Sequence, residues 1–362
     1  MRKSSAARTK VRRLHRAAGR SALRACIFVL IPYLHPPCTT CFAPIRASHQ
    51  KVTPQGMNAT PTAPTPPRLL MCRPQFFAVN YSINPWMDPA AWASGDDAAR
   101  AGRQWAALHR ALRSAGAQID LVEPQPDLPD LVFTANAAVV LDGVALLARF
   151  RHPERQREEP VFASAFHGLK ARGLINSVVE MPAGVPLEGA GDCIFDPHRK
   201  QFWVGCGPRS DPAARAVVEK VYGFPAVSLP LADPRFYHLD TAFCALPCGG
   251  VIFYPAAFTP EGLAAIHAAV TPADRIELAA ADAEHFAANA VCFGNTIVLS
   301  SASAGLHARL EQRGYAVVQT PLDAFQKSGG SACCLTLRLD HRSRAQAVRA
   351  RAGGARRAAA SP

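Results

Sequence analysis

The sequence predicts an α/β fold in which five ββαβ units close into a ring, and three observations carry that prediction. β-rich and helical runs alternate in the same order about every 45 residues between Leu69 and Leu339. Turn signals recur inside each pair of β-rich runs, as hairpins require. A polar residue or a cysteine stands just before the first run of each pair, at an equivalent place in every unit. A short unit cannot bury its own apolar face, so repetition of this kind calls for stacking around an axis rather than a doubly wound sheet with a nucleotide crevice.

In chain order, Phe76–Val79 reads as a strand, Asp97–Ala115 as an amphipathic helix and Gln118–Val122 as the next strand. Val132–Val140 and Val144–Phe150 form a hairpin across Leu141-Asp142-Gly143, followed by a helix over Pro160–Arg172 and a strand over Ser177–Glu180. Cys193–Phe195 and Gln201–Val204 pair across Asp196-Pro197-His198, before a helix at Pro212–Val221 and a strand at Ala226–Leu229. Thr241–Leu246 and Val251–Tyr254 pair across Pro247–Gly250, before Pro260–Val270 and Arg275–Leu278. Ala290–Phe293 and Thr296–Leu299 meet at Gly294-Asn295, before Ala304–Arg313 and Ala316–Gln319. Cys334–Leu339 is expected to pair back with the first strand and close the ring.

Charge divides the chain into three parts. The net charge of +13 comes from the ends, since residues 1–66 carry 11 Lys/Arg and residues 342–362 carry 6, with no acid in either. Residues 67–341 hold 23 basic against 27 acidic residues, so the expected folded domain is slightly acidic. Both ends read as solvated basic tails, and without aromatic interleaving they promise no specific nucleic-acid binding. Arg12–Arg24 followed by Ala25–Ile31 looks like a charged segment before a short apolar one, too short to span a membrane. Translation beginning at Met57 or Met71 is the reading preferred here. Eleven cysteines, several inside apolar runs and none at zinc-finger spacing, indicate free thiols in a reducing compartment, hence a cytoplasmic location. No metal or cofactor motif is present in the sequence, and a homo-oligomer is compatible with it.

The equivalent positions point at chemistry. They are occupied by Asn136, Asp192, Asp240, Asn289 and Cys334, which a closed ring gathers toward its axis. Glu188 and His238 lie just upstream of two of them. Taken alone, Cys334 is more simply a buried structural thiol. Together with His238 it becomes a candidate nucleophile and base. His238 and Asp240, at strand spacing, are expected on one face, while strand alternation turns Cys333 away from Cys334. In Leu187–Cys193 the absence of Gly-Lys-Ser/Thr and the presence of acids exclude a phosphate loop and suit a cationic ligand. Asp130 and Asn136, six residues apart, are read as sharing one strand face.

This constellation resembles the guanidine-modifying superfamily of penteins, which includes arginine deiminases, dimethylargininases, amidinotransferases and arginine dihydrolases. The resemblance runs from about Leu70 to Leu339 and rests on Leu70–Pro74, Tyr81–Met87, Pro129–Asn136, His152–Gln156, Leu187–Asp192, Gly207–Ser210, Tyr237–Thr241 and Gly329–Thr336. It implies a five-bladed α/β propeller with Cys334 as nucleophile, His238 as general acid and base, and Glu188 orienting the histidine. It further implies that Asp240, Asp130, Asp192, Asn84 and Asn136 contact substrate, and that Arg155 and Arg209 hold an α-carboxylate. Asn136 replaces an acid of the deiminases and dimethylargininases, and the Glu188–Asp192 turn is one residue longer than the usual form. Both departures fit the dihydrolase branch, whose reaction converts arginine to ornithine, carbon dioxide and ammonia. Deiminase, dimethylargininase or amidinotransferase activity and an inert binding protein are the alternatives.

Overall fold

The computed structural model describes residues 66–93 and 96–343. The basic leader, the Met57 start and nearly all of the tail lie outside the described residues. The chain enters as β1 (Arg68–Cys72), runs through the helix Asp97–Ser114, and returns as β2 (Gln118–Val122) parallel to β1. That helix buries Ala101, Trp105, Leu108 and Leu112, an i, i+4, i+7, i+11 stripe facing the sheet.

β3 (Ala138–Leu141) and β4 (Val144–Leu147) form a hairpin whose turn, Asp142-Gly143, holds φ of 54° and 77°. The left-handed region explains the Asp-Gly pair. The helix Glu159–Ala171 then leads to β5 (Ser177–Glu180), parallel to β4. The module recurs as β6 (Cys193–Asp196), β7 (Gln201–Cys206), the helix Ala214–Tyr222 and β8 (Ala226–Pro230). It recurs again as β9 (Phe243–Ala245), β10 (Val251–Phe253), the helix Pro260–Ala269 and β11 (Arg275–Glu277). A further copy is β12 (Val291–Phe293), β13 (Thr296–Leu299), the helix Ala304–Glu311 and β14 (Ala316–Gln319). β15 (Leu337–Arg338) pairs antiparallel with β1. The result is five three-stranded sheets, the blades of the expected five-bladed α/β propeller. Residues of β3, β6, β9, β12 and β15 line a common cavity, so these are the inner strands.

Four expectations are corrected. Phe76–Val79 is a turn and loop, not a strand, because Phe77 leaves the sheet to pack against Trp92, Phe133 and Phe325. The first strand lies upstream, at Arg68–Cys72. Residues 129–137 form two 3-10 turns, so a shared strand face does not relate Asp130 to Asn136. His238 caps a single helical turn, Leu239–Ala242, which carries Asp240, so strand spacing does not relate that pair either. Residues 332–335 are a turn, tied down by bonds from Cys333 N and Cys334 N to the Asn289 O and Oδ1. Side-chain alternation therefore does not govern Cys333 and Cys334.

The position of β1 bears on the start at Met71. Such a chain lacks Arg68, Leu69 and Leu70, yet Leu69 and Leu70 are 1% exposed and pair with Arg338 and Leu337. Burying each leucine stabilises by about 1.5–3 kcal/mol. We expect a chain beginning at Met71 to melt well below one beginning at Met57, measured by circular dichroism. Equal melting midpoints would show that β1 is dispensable.

Candidate active site

Each module presents its functional side chain from the short turn that precedes its inner strand. Backbone groups there are held by local 3-10 or helical bonds, which fixes the side chains before the strand begins. Gly189 and Gly191 are required by crowding. A Cβ on Gly189, whose φ is 61°, would lie 2.7 Å from the Ala135 carbonyl, and one on Gly191 would lie 2.3 Å from the Asn136 amide. Only glycine lets this turn approach so closely.

His238 is buried, and its Nε2 meets Glu188 Oε2 at 2.7 Å. Glu188 Oε2 also accepts from Arg209 Nη1 at 2.9 Å, and Oε1 accepts from the Arg151 backbone at 3.2 Å. Burial raises the Glu188 carboxyl, but Arg209 and His238 outweigh it and hold the group well below the usual carboxylate range. With Nε2 committed to Glu188, Nδ1 is the nitrogen left to move a proton.

Cys334 lies against a second carboxylate. Its Sγ is 3.2 Å from Asp240 Oδ2 and accepts from Asn289 Nδ2 at 3.0 Å. Burial first, then Asp240 and Cys333, push the thiol well above its ordinary value. Burial likewise raises Asp240 to about 7, against the hydrogen bond from Cys334. Asp240 Oδ1 is buried and has no hydrogen-bond partner. Arg209, stacked 4.5 Å from the Tyr237 ring, donates to Glu188 and to the Ile83 carbonyl, yet its buried Nε is unpartnered. The buried Ser331 Oγ is unpartnered as well. The site thus carries an orphan anionic acceptor and an orphan cationic donor.

The other expected residues join the same network. Asp130 accepts from Tyr81 at 2.8 Å and Ser328 at 3.2 Å. Asn84 donates to the Ser328 carbonyl at 3.1 Å, and Tyr237 donates to the Gly329 carbonyl at 2.9 Å. Asn136 Oδ1 accepts from Arg155 at 2.8 Å, while its Nδ2 donates to the Glu188 carbonyl at 3.3 Å.

Two residues are placed otherwise than expected. Asp192 turns both oxygens inward, Oδ2 to Ser210 at 2.6 Å and Oδ1 to the Leu239 backbone at 2.9 Å. It braces the segment that carries His238 instead of facing a ligand. Arg155 holds Glu158 bidentately at 2.9 and 2.8 Å and also donates to Asn136 and the Asp130 carbonyl. A guanidinium so committed positions its neighbours and has little left for a ligand.

Asn289, Ser210, Glu158 and Tyr237 were not among the candidate ligands. The repeat position shared with Asp240 and Cys334 already gathers Asn289 to the axis, and the structure adds its role of holding the Cys334 sulfur. Glu158 carries only the faint signal of an acid three residues after Arg155. Among the described residues no cluster of three or more His, Cys, Asp or Glu could hold a metal ion. None of their helices is long and apolar enough to cross a membrane.

Residues 73–340 match the family described as N,N dimethylarginine dimethylhydrolase, eukaryotic. The chain is 43% identical over 272 residues to the bifunctional arginine dihydrolase/ornithine cyclodeaminase AgrE of a Nostoc species, covering 75% of this chain and 38% of AgrE. The chain therefore spans less than two fifths of that relative. It is 39% identical to the N(G),N(G)-dimethylarginine dimethylaminohydrolase of Mycobacterium tuberculosis, covering 75% of this chain and 85% of that one. Among solved structures, the substrate-bound N-terminal domain of ArgZ, a cyanobacterial arginine dihydrolase, superposes with a TM-score of 0.73 at 41% identity. That match covers 76% of this chain and 99% of the domain.

Proposed function

The chain belongs to the dimethylarginine dimethylaminohydrolase family of guanidine-modifying penteins, and from that premise we propose that it is an arginine dihydrolase. The observation that carries the reading is the unpartnered, buried Asp240 Oδ1 beside Cys334. A buried carboxylate oxygen without a donor calls for a cation. A guanidinium supplies two N–H groups there and presents its central carbon to the thiol. Arg209 Nε, the orphan donor, suits the carboxylate at the other end of an amino acid. Similarity to AgrE and to the ArgZ domain supports arginine as the substrate and a dihydrolase reaction.

The chemistry follows from these groups. A guanidinium is delocalised and a poor electrophile, so it needs both a fixed position and a thiolate. Burial first and the Asp240 charge second hold the Cys334 thiol high, and a guanidinium bound at Asp240 offsets the charge, which couples substrate binding to nucleophile formation. The C–S bond forms, His238 protonates the departing ammonia, and a Cys334 thiouronium remains. Water deprotonated by His238 adds to that carbon. If the C–S bond then breaks, citrulline leaves. If a second ammonia leaves instead, an S-carbamoyl group remains, which a second water hydrolyses to an N-carboxy-ornithine that loses carbon dioxide. Two waters are consumed, and two ammonia, one carbon dioxide and one ornithine are released.

Asn136 and Asn84 are the groups we assign to that branch point. An amide can donate to a neutral carbonyl intermediate, which a second carboxylate would repel. Asn136→Asp keeps an acceptor for Arg155 and loses the donor to the Glu188 carbonyl. Amino-acid analysis after arginine turnover is expected to find ornithine without accumulating citrulline for the natural protein, and a shift to citrulline for Asn136→Asp. Citrulline as the natural product, or preference for dimethylarginine, would overturn the dihydrolase reading and favour the activity of the Mycobacterium tuberculosis relative.

A further inference from the structure

Between the inner strands the ring contains a cavity of about 410 Å³. Pro197, Pro247 and Gly294, from three hairpin turns, line its mouth, whereas the site residues precede the inner strands at their other ends. Two thiols in its wall come from neighbouring blades. Cys244 of β9 and Cys292 of β12 lie with sulfurs 3.7 Å apart, and Cys244 Sγ also faces the Ala290 carbonyl at 3.9 Å. The mechanism uses neither.

Their positions along the chain tie them to the nucleophile. Cys244 follows Asp240 by four residues, and Cys292 follows Asn289 by three. Asp240 and Asn289 both hydrogen-bond to Cys334 Sγ, and Asn289 also donates to the Asp240 carbonyl at 3.1 Å. We propose that Cys244 and Cys292 form an oxidisable dithiol whose disulfide displaces Asp240 and Asn289 and lowers catalysis.

Cys292 is partly exposed and Cys244 buried. Contact with Cys292 and burial also push the Cys244 thiol well above its usual value, so an oxidant reacts first at Cys292. A peroxide oxidises Cys292 to the sulfenic acid and is reduced to water. Cys244 sulfur then attacks the Cys292 sulfur, and hydroxide leaves with the Cys244 proton as a second water. A disulfide bond is about 2.05 Å long, so the sulfurs must close from 3.7 Å. Closing that gap draws β9 and β12 together, and the shift passes to the turns that begin them, which carry Asp240 and Asn289. Misplacing catalytic groups by about 1 Å costs on the order of a hundredfold in rate.

The probe is diamide, which takes two electrons and two protons from a thiol pair and becomes the hydrazine. Peptide mapping is expected to find Cys244 linked to Cys292. Arginine turnover is expected to fall on the order of tenfold or more and to return with dithiothreitol. Cys292→Ser, and independently Cys244→Ala, should keep activity through the same treatment. A different linked pair such as Cys333 with Cys334, no link, a link without loss, or equal loss in the variants would each overturn the proposal. The activity arm rests on the proposed arginine hydrolysis. The rate at which iodoacetamide alkylates Cys334, before and after diamide, tests the same coupling if arginine is not turned over, and an unchanged rate would then count against it.

Discussion

Cys334→Ser is expected to lower arginine turnover by at least about a thousandfold, since a hydroxyl so placed is a far weaker nucleophile than a thiolate. His238→Ala should cost on the order of 10²–10⁴-fold, the range for removing a positioned acid and base. Cys333→Ser should leave turnover intact, because Asp240 Oδ2 and Asn289 Nδ2 hold the Cys334 sulfur and Cys333 lines the cavity inside the ring. All three should stay folded, and His238→Ala alone should melt lower, since Glu188 keeps Arg209 but loses the buried imidazole. The measurement is ammonia release under saturating arginine, with dichroism as the control for folding. Turnover that survives in Cys334→Ser would remove covalent catalysis from the account.

The second large effect belongs to Glu188→Gln. Glu188 joins Arg209 and His238 in one buried cluster. The amide keeps the shape and removes the charge, leaving the Arg209 guanidinium buried without its counter-ion. Breaking such a pair from one side destabilises by about 3–5 kcal/mol. Turnover should fall too, because the amide can offer its N–H to the imidazole and so favour the wrong tautomer. The sign of the pH effect follows from the depressed Glu188 carboxyl. The folded protein holds that proton less readily than the unfolded chain, so the stabilisation is present above the ordinary glutamate value of about 4.3. It is lost as pH falls below that value toward the lower folded one. In Glu188→Gln this part of the acid limb should flatten in a melting-midpoint against pH series. An unchanged limb would show that Glu188 is not held charged by Arg209.

The repeat, the hairpin turns and the ring were legible in the residues because they rest on local signals. Asp142-Gly143 needs a left-handed turn, and the 3.6-residue stripe of Asp97–Ser114 needs an apolar partner. Cys334, His238 and Glu188 are singled out by their places in or beside the repeat positions and by the family resemblance. What the residues could not convey was how they are held. Strand spacing suggested that His238 and Asp240 share a face, but the chain makes a helical turn there. The two residues meet different partners, Glu188 and Cys334, from segments about 50 and 94 residues away.

Arg155 and Asp192 show the same limit. Each reads as a charged group free for a ligand, and each is already engaged in the fold, Arg155 by the Glu158 carboxylate one helical turn on and Asp192 by the Ser210 hydroxyl from across a loop. Charge, turn propensity and periodicity are properties of neighbours in the chain, so sequence alone determined the modules, their order and the residue types gathered at the axis. Which buried atoms are satisfied, and which are left for a ligand, depends on contacts between modules distant in sequence. Only the tertiary structure decided that Asp240 Oδ1 and Arg209 Nε stand unpartnered while Asp192 and Arg155 do not, because desolvation acts on every buried polar atom wherever its partner lies in the chain.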